Sequence, residues 1–119
     1  MAMSQNTKVD CTIPATLMRG LTTYGKVMIG DKAFEFYNDR NVNDFIQIPY
    51  SEIDRIEASV LLNKKISRFV IFTKSDSYFT FSTRDNKKTL RALRPYLGDE
   101  KLLRSLGVVD VLKRGFKKN

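Results

Sequence analysis

The chain has 119 residues, 42% of them hydrophobic and 29% charged, the size and balance of one globular domain that needs no disulfide or metal staple. It has no histidine and a single cysteine, Cys11. Histidine triads and dyads, histidine zinc ligands, phosphohistidine carriers, intrachain disulfides and cysteine metal clusters are therefore all excluded. The formal charge is +8, and it is unevenly spread: residues 1–83 hold 10 basic and 9 acidic side chains, residues 84–119 hold 11 and 4. Such asymmetry suits an anionic partner at the C-terminal third: an acidic protein, an anionic membrane face or nucleic acid. A solvated face that serves solubility accounts for the same excess.

No apolar run approaches the roughly 18 residues of a membrane span, and the start lacks the apolar core of a signal peptide. With a lone unpaired thiol, the expected location is cytoplasmic, with peripheral attachment at the inner face of the membrane as an extension of it. Residues 1–8 read as an N-terminal extension. Within it, Met1-Ala2 stands ahead of a second methionine, Met3, as an addition that carries no functional argument.

From Val9 to Leu17 apolar residues alternate through Val9, Cys11, Ile13, Ala15 and Leu17, the pattern of a half-buried strand. Cys11 lies in that apolar register as a small buried hydrophobe, and Pro14 pushes the strand toward a sheet edge or bulge. Gly25–Ile29 and Ala33–Tyr37 form a hairpin across Gly30-Asp31-Lys32, two residues of which tolerate unusual turn angles. Asn38–Asp44 is a polar loop and Phe45–Pro49 a short strand; a further strand starts near Ile53, where β-branched residues gather, and runs to Leu62. After a loop at Asn63-Lys64-Lys65, Arg68–Lys74 and Tyr78–Thr83 are strands joined by Ser75-Asp76-Ser77. Their aromatics read as sheet core, since the basic-glycine start of an RNA-recognition strand is missing.

Asp85 caps a helix running through Arg94. On a helical wheel Leu90, Leu93, Tyr96 and Leu97 share one arc, while Lys87, Lys88, Arg91 and Arg94 share the opposite one. Pro95 should kink or end this helix. Asp99–Leu106 reads as a second short helix stopped by Gly107. In the tail, Val108, Val109, Val111, Leu112 and Phe116 fall on one helical arc; Lys113, Arg114, Lys117 and Lys118 fall on the other, a short basic amphipath. Isolated helices of this length are marginal in water, so the tail needs its own domain, a partner protein, a membrane or nucleic acid to order it.

Strands throughout and helices at the end predict a mostly β, α+β fold. The runs GKVMIGDKAFEFYN, IQIPYSEIDRIEA, RFVIFTK and YFTFST with a closing helix resemble a PH/GRAM-like domain. That likeness implies an antiparallel two-sheet sandwich or barrel over residues 9–106, capped by a C-terminal helix, with 107–119 as a basic tail. NTKVD, GLTTYGKVMIGDKAFEFYNDR, IQIPYSEIDRI and RSLGVVDVLKRGFK are together similar to the mannose-operon regulator (ManO-like) family, encoded beside mannose-class phosphotransferase transporters. The resemblance implies a regulatory role and brings no catalytic or binding residues. Mannose-class transporters pass phosphate through histidines, so a chain without histidine is not a carrier in that relay.

Three functions follow as expectations. The first is a non-enzymatic accessory module, without cofactor or metal, that contacts transporter subunits or an anionic membrane surface. Its expected contact residues are Lys87, Lys88, Arg91, Arg94, Lys113, Arg114, Phe116, Lys117 and Lys118. The second is direct DNA binding, which the +7 third would favour but which lacks a helix-turn-helix, because only Gly98 separates the two expected helices. The third is catalysis at Glu52, Asp54 and Glu57, which no phosphate loop, nucleophile elbow or metal-ligand set accompanies.

Overall fold

The computed structural model describes residues 3–41, 43–61 and 65–105. Its strands are β1 (Val9–Arg19), β2 (Leu21–Gly30), β3 (Ala33–Asn38), β4 (Phe45–Pro49), β5 (Ile53–Leu61), β6 (Lys65–Thr73), β7 (Tyr78–Thr83) and β8 (Leu102–Ser105). Among the described residues a single α-helix, α1 (Asn86–Leu97), follows β7, and short 3-10 turns occupy Tyr50–Glu52 and Asp99–Lys101.

The strands form one continuous mixed sheet in the order β4-β3-β2-β1-β7-β6-β5-β8. This corrects the expected antiparallel two-sheet sandwich or barrel capped by a C-terminal helix. The cause lies in β1. It pairs with β2 along its whole length, and its C-terminal half also pairs with β7 from Ala15↔Thr83 to Met18↔Thr80. Chain-distant strands are thereby stitched edge to edge. The sheet curls enough to bring β3 across to β6, where the Phe34 and Phe69 rings lie 6.2 Å apart and edge-on.

Phe81 of β7 sits between them, 4.9 Å from Phe34, 5.5 Å from Phe36 and 6.0 Å from Phe69. All four rings are buried, with Leu17, Val27, Ile29, Ile53, Ile56, Ile71 and Leu93 around them. Cys11 lies in the same core as a free, buried thiol. Gly25 is required by close approach, since a Cβ there would stand 2.1 Å from the Tyr37 carbonyl oxygen.

Pro14 lies inside a central strand rather than at an edge. Its carbonyl accepts from Arg84 N–H at 3.0 Å, one residue beyond the end of β7. The side of Pro14 that lacks a donor thus faces a position where the neighbouring strand has already stopped. The expected helix over Asp99–Leu106 is replaced by a 3-10 turn and β8, which runs parallel to β5 from Ile56↔Leu102 to Ser59↔Ser105. Asp99 and Lys101 are held by Arg94 and the Ile53 carbonyl, and the open edge of β5 offers backbone partners that a helix could not use. Leu106 and the tail 107–119 lie outside the described residues.

The polar segment before β1 is built into the fold. Asn6 accepts from Lys32 N–H and Ala33 N–H and donates to the Ala33 carbonyl. The buried Glu35 carboxylate accepts from Ser4 Oγ, Gln5 N–H and Asn6 Nδ2. Gly30 has no room for a side chain, because a Cβ would meet the Lys8 carbonyl at 2.3 Å; its φ is not positive, so packing rather than turn angle selects glycine. Asp31 takes the Thr7 hydroxyl and the Thr7 and Lys8 N–H groups, and these bonds hold its carboxyl at about 2, below the ordinary 3.8.

Two predictions follow from this packing. Phe81→Ala should cost about 3–5 kcal/mol, a large part of the stability usual for a domain, read from the urea midpoint at unchanged m. A depressed carboxylate contributes stability that is fully present above its unfolded value of 3.8 and fades as pH falls toward about 2. Asp31→Asn should therefore be less stable than the natural chain at neutral pH, with the gap closing through that acid window in stepwise urea titrations.

Candidate interaction surface

The surface is built on the first turn of α1. Asp85 is its N-cap, with a carboxylate oxygen accepting from Lys88 N–H at 3.1 Å. Asn86 faces inward, accepting from Thr83 N–H at 2.7 Å and donating to the Ile66 carbonyl at 2.8 Å. Thr89 is fully buried, donates to the Asp85 carbonyl and shares a 2.7 Å contact with the Thr83 hydroxyl. These bonds fix the helix to the end of β7 and the start of β6. Leu93 and Leu97 continue the buried side.

With that side committed, Lys87, Lys88, Arg91 and Arg94 are all exposed on the solvent side, the grouping expected from the sequence. Lys87, Lys88 and Arg91 make no ion pair among the described residues. Arg94 differs. Its guanidinium binds Asp99 through two bonds of 2.6 and 3.1 Å, which raise the arginine and hold the aspartate below its ordinary value. Lys113, Arg114, Phe116, Lys117 and Lys118 lie outside the described residues.

Pro95 does not end α1, which continues to Leu97. The last turn is retained by side-chain packing: Leu97 is buried and Tyr96 stacks on Tyr50 with centroids 5.0 Å apart. Gly98, at φ +83, then closes the helix by donating to the Arg94 carbonyl at 2.9 Å.

Alongside α1 runs a groove of about 400 Å³ whose floor is Ile66, Leu90 and Leu102, and whose rim is Lys87, Arg91 and the Arg94–Asp99 pair. Ile66, Leu90 and Leu102 are not among the contact residues expected from the sequence, which places Leu90 on the apolar arc of the helix. Leu102 belongs to the segment read as a helix, and Ile66 stands next to the expected loop, so neither carried a signal. At the other end of the helix a more polar recess is lined by Lys65, Ser67, Ser82, Arg84, Asn86 and Lys87. Its hydroxyl and amide groups are engaged with one another and with the backbone.

The acidic cluster has a different organisation from a catalytic pair. Arg55 lies 4.0 Å over the Phe72 ring and bridges Asp54 at 2.8 Å and Glu57 at 2.7 Å. Asp44 pairs with Arg19 at 2.6 Å and accepts from Asn38, and the Asn38 bond and then Arg19 lower its carboxyl. Among the described residues, no group of three His, Cys, Asp or Glu is placed to hold a metal ion. No helix among them is long and apolar enough to cross a membrane.

The sequence matches, over residues 1–116, the family described as "Domain of unknown function (DUF956)". No curated protein matches it. The structure is similar to the crystal structure of the C-terminal domain of an unknown protein from Leishmania infantum. The TM-score is 0.67 at 13% identity, covering 76% of this chain and 84% of that one. At that identity the likeness concerns the fold alone.

Removing the cap should loosen the whole surface. Asp85→Ala is expected to cost about 1 kcal/mol in urea denaturation. It should also speed hydrogen exchange at the Lys88 amide, whose acceptor is lost.

Proposed function

The chain belongs to the DUF956 family, and on that premise we propose that it is a non-enzymatic regulatory or accessory module of a mannose-class sugar phosphotransferase system. It acts through contact of its basic C-terminal third with transporter subunits at the inner face of the membrane. The observation that carries this reading is the exposed row Lys87, Lys88 and Arg91 on a helix whose opposite face is pinned by Asn86, Thr89 and Leu93. Three cations held on a rigid element, without intramolecular partners among the described residues, form a preorganised anion-seeking surface.

Further support comes from the sequence similarity to the mannose-operon regulator family and from the absence of histidine, which leaves regulation and removes phosphorelay chemistry. Three of the acidic residues singled out in the sequence are engaged by arginine. Asp54 and Glu57 are bound to Arg55, and Asp44 is bound to Arg19.

The test is a pull-down from native cells after mild crosslinking, using the full chain and Lys87→Glu/Arg91→Glu. Transporter subunits should be enriched with the natural chain and fall several-fold with the variant. Recovery of promoter DNA without transporter, with a steep loss on added salt, would replace this reading with direct gene regulation.

A further inference from the structure

The groove beside α1 combines three half-buried apolar side chains, Ile66, Leu90 and Leu102, with a cationic rim. We propose that it is the docking site for an acidic amphipathic segment of a partner protein, whose apolar side chains enter the floor while its carboxylates meet Lys87 and Arg91. The inference rests on the functional reading above and names the chemistry of the partner.

Charge complementarity selects this occupant. Lys87 and Arg91 stand on one rim without ion-pair partners among the described residues, whereas Arg94 is neutralised by Asp99 at the far end. The unmet positive charge on the rim is therefore that of Lys87 and Arg91, which flank Leu90 in the helix sequence. The C-terminal tail of the chain itself carries Lys113, Arg114, Lys117 and Lys118 against one acidic residue, Asp110, and would bring like charge to that rim. A lipid surface meets the cations but not the floor. Leu90 and Ile66 are recessed between α1 and β6, and the helix face around Lys87, Lys88 and Arg91 offers no large exposed apolar residue to insert. Protruding side chains spaced three and four apart on a helix reach such a floor.

The test uses the full ¹⁵N-labelled chain. The probe is a synthetic helix-forming peptide with leucine at alternating third and fourth positions and glutamate elsewhere; its counterpart replaces every glutamate by lysine. Amide shifts at Ile66, Leu90, Arg91 and Leu102 should move with the acidic peptide and not with the basic one. Leu90→Ala and, separately, the surface variant Lys87→Glu/Arg91→Glu should each weaken binding by about tenfold while leaving the unfolding cooperative. Silence at the groove amides, equal response to both peptides, or binding indifferent to Leu90→Ala would overturn the proposal. So would tighter peptide binding by Leu112→Asp, which would make the tail the resident occupant. Loss of the same amide signals on phosphatidylserine vesicles, without a peptide response, would assign the groove to lipid instead. Failure here with an intact transporter pull-down leaves the functional reading standing. Peptide binding without transporter recovery leaves the groove and removes that reading.

Discussion

Asn86 joins the sheet and the helix into one body. Its amide oxygen takes the last N–H of β7, and its amide nitrogen donates to the second residue of β6. A single side chain thus closes two strand ends and starts α1. Because a buried amide left half satisfied costs on the order of 1–3 kcal/mol, the helix has little freedom to rotate about its axis. Thr89, one turn later, repeats the constraint through Thr83. The direction in which Lys87, Lys88 and Arg91 point is consequently set by hydrogen bonds inside the protein, not by the cations themselves.

The same division explains why the charge asymmetry of the sequence becomes a surface rather than a diffuse excess. In the strand region some cations meet carboxylates locally: Arg19 with Asp44, and Arg55 with Asp54 and Glu57. Exposed pairs of this sort contribute little to stability, so their larger effect is on the charge each face presents. On α1 only Arg94 is matched in this way. Lys87, Lys88 and Arg91 therefore keep their charge on one exposed face of the helix, beside the groove.

Much of this was legible in the sequence, for reasons that also mark its limits. Alternation over Val9–Leu17 and in RFVIFTK and YFTFST reports which residues face a core, and Asp85 marks a helix start through cap chemistry. Alternation does not report which strands are neighbours. That is why one curled sheet reads as two, and why Pro14, judged by residue type alone, points to an edge or a bulge. Leu102–Ser105 carries only four residues of pattern inside a run of good helix formers. Its strand character comes from the free edge of β5, a partner more than forty positions away. Alternation in Phe34-Glu35-Phe36 points Glu35 away from the core, yet it is 0% exposed because Ser4, Gln5 and Asn6 cover it. Nothing periodic in the N-terminal residues announces that cover.

A basic helix beside an apolar groove separates two quantities that a flat charged patch would merge. Charges such as those of Lys87, Lys88 and Arg91 act at a distance, would set the rate of encounter with the proposed partner and are screened by salt. Ile66, Leu90 and Leu102 act only on contact and govern how long the encounter lasts. A partner with acidic charge alone would be met often and released quickly. One with apolar side chains at helical spacing as well would be retained. On the proposed reading, discrimination among anionic surfaces would come from three half-buried apolar side chains, with the cations of the helix bringing candidates within their reach.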